Sequence, residues 1–105
     1  MELSAQDAAN WPVNAAHIVA VQDFSPETIG RIVAHLEVST DFEHLVYREA
    51  ELDALWSITG FFLAHQPDSE QRRTAVQVHA EAHRARDLVA DRRSADAAGV
   101  LRKFL

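Results

Sequence analysis

The chain has 105 residues, 10 basic and 16 acidic, with a formal charge of −6 and no cysteine. Its length suits one domain spanning 1–105, and 48% hydrophobic with 25% charged residues is the make-up of an ordinary globular protein rather than a disordered one. Disulfide frameworks, thiol catalysis and thiolate metal sites are excluded, and no apolar run approaches the ~20 residues of a membrane helix.

The start, Met1-Glu2-Leu3-Ser4, lacks the pattern of a signal peptide, so a cytoplasmic protein is expected. Glycine and proline are scarce and apolar residues recur at three and four, which predicts helices throughout. A weak first segment covers Ser4–Asn10, with Ser4 and Asp7 spaced like a capping box. Pro12 turns Trp11 away from helical dihedrals and opens a helix to Gln22. The run from His17 to Val21 also suits a short strand, but a lone strand has no partner here. Ser25-Pro26-Glu27-Thr28 then reads as N-cap, proline at the first helical position and an acidic first turn. Ile29, Ile32, Val33 and Leu36 follow as one apolar stripe.

The longest predicted helix covers about 41–65. Leu45, Leu52, Trp56 and Leu63 lie on one side of its wheel with Thr59 beside them, while Leu55, Ile58, Phe61 and Phe62 spread apolar surface around its second half. That half must be enclosed by other elements or by a second subunit. Gly60 costs about 1 kcal/mol in a helix interior and implies close approach by a neighbouring helix. After Gln66-Pro67-Asp68, a second long helix is expected over about 69–91, with Ala75, Val78, Ala82, Ala85 and Val89 as its core row. The two form an antiparallel hairpin. Ser94 is placed as the cap of a last helix, Ala95 to Lys103. The fold expected is an all-α small helical bundle, built on a central antiparallel pair of long helices with shorter flanking ones.

Six histidines are many for this length. His79 and His83, four apart, can point the same way, a spacing common in metal sites. A tetrahedral ion needs more ligands, and Asp41, Glu43, His44 and Glu49 on the facing helix are the candidates. His17, His35, His44 and His65 read as boundary residues. Ser4, Ser25, Ser39, Ser69 and Ser94 stand where caps are expected, and no nucleophile elbow or phosphate loop exists, so the chain does not read as an enzyme. Glu49, Glu51 and Asp53 read as a solvated helix face.

Charge is unevenly placed. Residues 1–70 hold 2 basic and 12 acidic side chains, whereas residues 71–105 hold 8 basic and 4 acidic. Either the two halves pair within the chain, or the arginines, Arg72, Arg73, Arg86, Arg92 and Arg93 among them, form a docking surface for an acidic partner or phosphates. The net charge and the lack of interleaved aromatics count against nucleic acid.

The stretch His83-Arg84-Ala85-Arg86-Asp87 through Ala97-Ala98-Gly99-Val100-Leu101-Arg102-Lys103-Phe104-Leu105 resembles the closing helices of FCD-type ligand-binding domains of GntR regulators. The aspartate–histidine metal set that this family implies is not matched here, and its function is not carried over. The expected function is that of a small non-enzymatic interaction protein: a regulator, adaptor, chaperone-like factor or inhibitor that binds another protein. A metal-binding bundle using His79 and His83, and a nucleic-acid-binding regulator using the arginines, are the alternatives; no cofactor is expected. Self-association as a homodimer is expected through Phe61 and Phe62, because a hairpin covers only one side of the apolar Leu55–Leu63 segment.

Overall fold

Wherever the spacing predicts a helix among the described residues, a helix forms. The computed structural model describes residues 11–39 and 42–105, so the segment expected at Ser4–Asn10 lies outside the described residues. Five helices follow in order: α1 (Trp11–Val21), α2 (Pro26–Val38), α3 (Phe42–His65), α4 (Arg72–Ala90) and α5 (Ser94–Leu101), closed by a 3-10 turn over Arg102–Phe104. No strand occurs among the described residues, and the ambiguous run before Gln22 is helical. That helix starts at Trp11, one residue before Pro12. Proline is tolerated there because a first-turn N–H has no partner within the helix.

The boundaries follow local chemistry. Ser25 caps α2, its hydroxyl accepting from the Thr28 N–H at 3.4 Å, and Pro26 stands in the first turn. Ile29, Ile32, Val33 and Leu36 are buried as the stripe predicts. At the far end of α4 the Arg93 N–H reaches the Leu88 carbonyl at 2.8 Å, and the Arg92 N–H reaches that of Val89 at 2.9 Å. These are the paired bonds of a Schellman cap, with Arg92 in the left-handed region at φ 62°.

Two boundaries differ from expectation. Helix α4 begins at Arg72 rather than Ser69, because Ser69 closes a turn instead, its hydroxyl accepting from the Gln71 N–H at 3.1 Å. Ser94 is not a cap but the first residue of α5, and its hydroxyl donates to the Ser39 carbonyl at 2.9 Å. A long-range partner took the side chain that local capping would have used.

Helix α3 is the axis of the molecule. Helix α4 packs along it, α1 lies on another flank, and α2 packs on α5 and on α3. Gly60 of α3 faces His79 of α4, Asp53 pairs with Arg86, and Leu45 to Glu49 lie beside Val89 to Arg92, so the two long helices run antiparallel. The α4 core row Ala75, Val78, Ala82, Ala85 and Val89 is buried in full. Its small side chains let the axes approach.

The α3 wheel sits differently from expectation. Leu45 and Leu52 are buried, but Leu63 is only half-buried and Trp56 is 42% exposed. The buried sector instead takes in Arg48, Glu51, Leu55, Ile58 and Thr59. Three helices press on this side of α3, which turns the Trp56 edge outward.

Candidate functional site

The outer edge of the α3–α4 pair gathers three rings. The imidazole of His79 stacks on the Trp56 indole, with centroids 5.0 Å apart and planes 19° from parallel. His83, one turn further along α4, lies with its centroid 6.4 Å from the same indole. The four-residue spacing therefore places both imidazoles on one face, as predicted. Gly60 makes room for this, since a Cβ there would stand 3.1 Å from His79 Cε1. The close approach implied by that glycine is made by a side chain of α4.

The hydrogen bonds define how the histidines are presented. His79 Nδ1 lies 2.9 Å from the Trp56 carbonyl oxygen. A carbonyl only accepts, so Nδ1 carries the hydrogen and the lone pair of the neutral ring is on Nε2. Thr59 Oγ1 is also 3.0 Å from that Nδ1, while its own hydroxyl has the Leu55 carbonyl at 2.8 Å. Thr59 is fully buried. His83 Nδ1 faces Asp87 Oδ2 at 3.6 Å, with both side chains largely exposed.

The further ligands considered for this pair do not join it. Glu49 sits level with Val89–Arg92, while His83 sits level with Trp56. The seven-residue step along α3 from Glu49 to Trp56 amounts to roughly 10 Å of helix, and His44 lies further still toward the α3 start. Asp41 and the Glu43 side chain lie outside the described residues. No set of three or more ligand-type side chains assembles among the described residues.

Phe61 and Phe62 part company. Phe61 is 51% exposed and lies against His65 with centroids 4.1 Å apart. Phe62 is half-buried and meets Phe24 edge-on at 5.2 Å. The loop between α1 and α2 covers it, which takes Phe62 out of the outward surface.

The arginines are partly absorbed by the chain. Arg86 pairs with Asp53 across α3 and α4, and Arg102 donates to Glu37 at 2.6 Å. Both bridges join the acidic and basic halves. Arg93 bonds Asp96 at 2.8 Å and Lys103 bonds Glu81 at 2.9 Å. Arg72 and Arg73 open α4, exposed and without an ion pair among the described residues. Arg92 is exposed in the turn after α4. The five arginines spread over both ends and one flank of α4 and do not form one surface.

Sequence reasoning missed a buried ionic cluster. Glu51, expected on a solvated face, and His35, expected at a boundary, are both inside. His35 Nδ1 lies 3.0 and 3.2 Å from the two Glu51 carboxylate oxygens, and Arg48 pairs with the same carboxylate one turn back. Ser39 donates its hydroxyl to the His35 carbonyl at 2.6 Å, and Arg48 Nη1 stands 3.5 Å from that hydroxyl. Burial pulls the Arg48 guanidinium down to about 10, against the upward pull of Glu51. The unfolded chain would hold that proton to higher pH, so burying Arg48 costs stability at neutral pH while leaving it charged. The signal available beforehand was Glu51 falling between Arg48 and the apolar Leu52 and Leu55. Only the arrival of α2 shows that this sector is covered.

Compared with protein-family models, curated proteins and solved structures, the chain matches none. The likeness of its last helices to FCD-type domains does not extend to a family match. Among the described residues, no helix is long and apolar enough to cross a membrane.

Proposed function

We propose that this is a non-enzymatic interaction protein that works by docking the outward face of α3, and that its first partner is a second copy of itself. The observation that carries this reading is the exposure of Trp56 and Phe61 on one helix. Beside them Val46, Ala50, Ser57 and Ala64 are exposed, and Ala50, Ser57 and Ala64 recur every seven residues. A seven-residue spacing is the repeat by which two helices pack along a shared seam. Small side chains let the axes come close, while the flanking aromatics supply apolar area. Twofold pairing is favoured because one face covers its own copy.

The absence of catalysis is part of the proposal. The buried His35, Arg48 and Glu51 side chains are engaged with one another, the Ser25 and Ser69 hydroxyls serve a cap and a turn, and those of Ser39 and Ser94 donate to backbone carbonyls. The nucleic-acid reading gains less support, since Arg86, Arg93, Arg102 and Lys103 are held by carboxylates. Sedimentation velocity at tens of micromolar in EDTA tests the proposal. The wild type is expected at twice 11.7 kDa. Phe61→Asp and Ser57→Arg are expected to give monomers with unchanged circular dichroism. A wild-type monomer overturns it.

A further inference from the structure

We infer that His79 and His83 are one half of a zinc site completed by the same two residues of a second copy. The dimer proposed above is then bridged by a tetrahedral ion with four imidazole ligands. This rests on the self-association reading for its partner, and on the histidine geometry for its chemistry.

Three observations lead here. First, the two imidazoles flank one indole, four residues apart on a rigid helix, at the edge of the face proposed to meet a second copy. Second, each is presented like a metal ligand. A ligating histidine commonly donates one ring N–H to a carbonyl or carboxylate and offers the other nitrogen to the ion. His79 Nδ1 donates to the Trp56 carbonyl, and His83 Nδ1 faces the Asp87 carboxylate. Nε2 is the nitrogen left on both, and among the described residues neither Nε2 has a hydrogen-bond or ion-pair partner. Third, the set stops at two among the described residues. Zinc in a closed site takes four ligands of nitrogen or sulfur type. Two pairs related by a twofold axis supply four nitrogens, so the ion is held only when two chains meet.

The site has a regulatory consequence. Zinc binds the dimer and not the monomer, so it tightens self-association by mass action, and association raises zinc affinity equally. Metal binding competes with protons, so the response weakens in acid.

The test uses untagged full-length protein, with sedimentation velocity and bound-metal analysis in EDTA and in zinc chloride. One zinc per two chains is expected, with dimerisation at least tenfold tighter than in EDTA. Cobalt should give the visible absorption of a tetrahedral ion. His83→Ala, at an exposed position, is expected to keep its fold and its EDTA-state self-association while losing the zinc response. Asp87→Asn should weaken zinc binding about tenfold. His17→Ala and His65→Ala should change neither. Phe61→Asp reports separately on the docking face: loss of association in EDTA alone bears on that face and not on the ion. The inference is overturned by zinc that leaves the dimer dissociation constant unchanged, by one zinc bound per monomer, or by a zinc response that survives His83→Ala.

Discussion

His35 and Glu51 meet inside the protein, the Nδ1 of one 3.0 Å from a carboxylate oxygen of the other, with both side chains closed to solvent. They come from α2 and α3, and Arg48 shares the same carboxylate. Three ionisable side chains thus lie where α2 packs on α3. Such a cluster is costly to form and costlier to break, because removing one member strands its partners in a poorly solvating interior.

Glu51→Gln keeps the shape and removes the charge. Chemical denaturation is expected to show a loss of about 3–5 kcal/mol, the range for breaking a buried ion pair. Glu49→Gln, just over half a turn away and half-buried, should change stability by no more than about 0.5 kcal/mol. Equal effects at the two positions would remove the buried cluster from the account of stability.

Asp23 sets an acid-sensitive contribution. Its carboxylate accepts from the Thr28 hydroxyl, the Ser25 N–H at 2.9 Å and the Ser25 hydroxyl at 3.0 Å. The Thr28 bond is the chief reason that the carboxyl is held below its ordinary 3.8, with partial burial opposing it and the Ser25 bonds adding to it. On acidification the unfolded chain takes up this proton first. The stabilisation is therefore complete above the unfolded value and is lost as pH falls through the folded one. Asp23→Asn is expected to lose about 1–2 kcal/mol at neutral pH. Its stability should also fall less steeply than that of the wild type below about pH 4. Parallel acid limbs for the two proteins would count against this.

Gly60 and His79 offer a probe of the outer site. A methyl at 60 gains about 1 kcal/mol of helix propensity but must displace the imidazole by a few tenths of an ångström. Gly60→Ala is expected to leave the melting temperature within a few degrees of wild type while disturbing the Trp56–His79 stack. In a Trp11→Phe background, Trp56 emission should shift and zinc binding should weaken. Unchanged emission would show that the ring has room to spare.

Gln22, after α1, stands in the left-handed region at φ 53°, with its N–H on the Ile18 carbonyl at 2.8 Å. A side chain is disfavoured there, whereas glycine is not. Gln22→Gly is expected to stabilise the protein by about 0.5–1 kcal/mol, read as a rise in melting temperature. A fall would mean that the Gln22 side chain contributes a contact outweighing the backbone strain.

Local chemistry made much of this protein legible. The Ser25-Pro26 start, the Ile29 to Leu36 stripe and the α4 core row from Ala75 to Val89 are all realised, because caps and single-sided stripes depend on neighbours within a few turns. The pairing of His79 and His83 on one face belongs with them, since helix pitch alone requires it. Helix α3 differs, being apolar around most of its second half, so that periodicity cannot choose which side is inside. Tertiary packing decided that: α1, α2 and α4 cover the sector holding Leu55, Ile58 and Thr59, and leave Trp56, Ser57, Phe61 and Ala64 outward. The same packing buried Glu51, a residue whose solvation depends on partners from α2. It also placed His79 over Gly60, from a helix nineteen residues further on, and it drew the Ser94 hydroxyl from its own helix start to the Ser39 carbonyl. A helix's existence is encoded in its own few turns, whereas its rotation in the bundle is set by the elements that reach it from elsewhere in the chain.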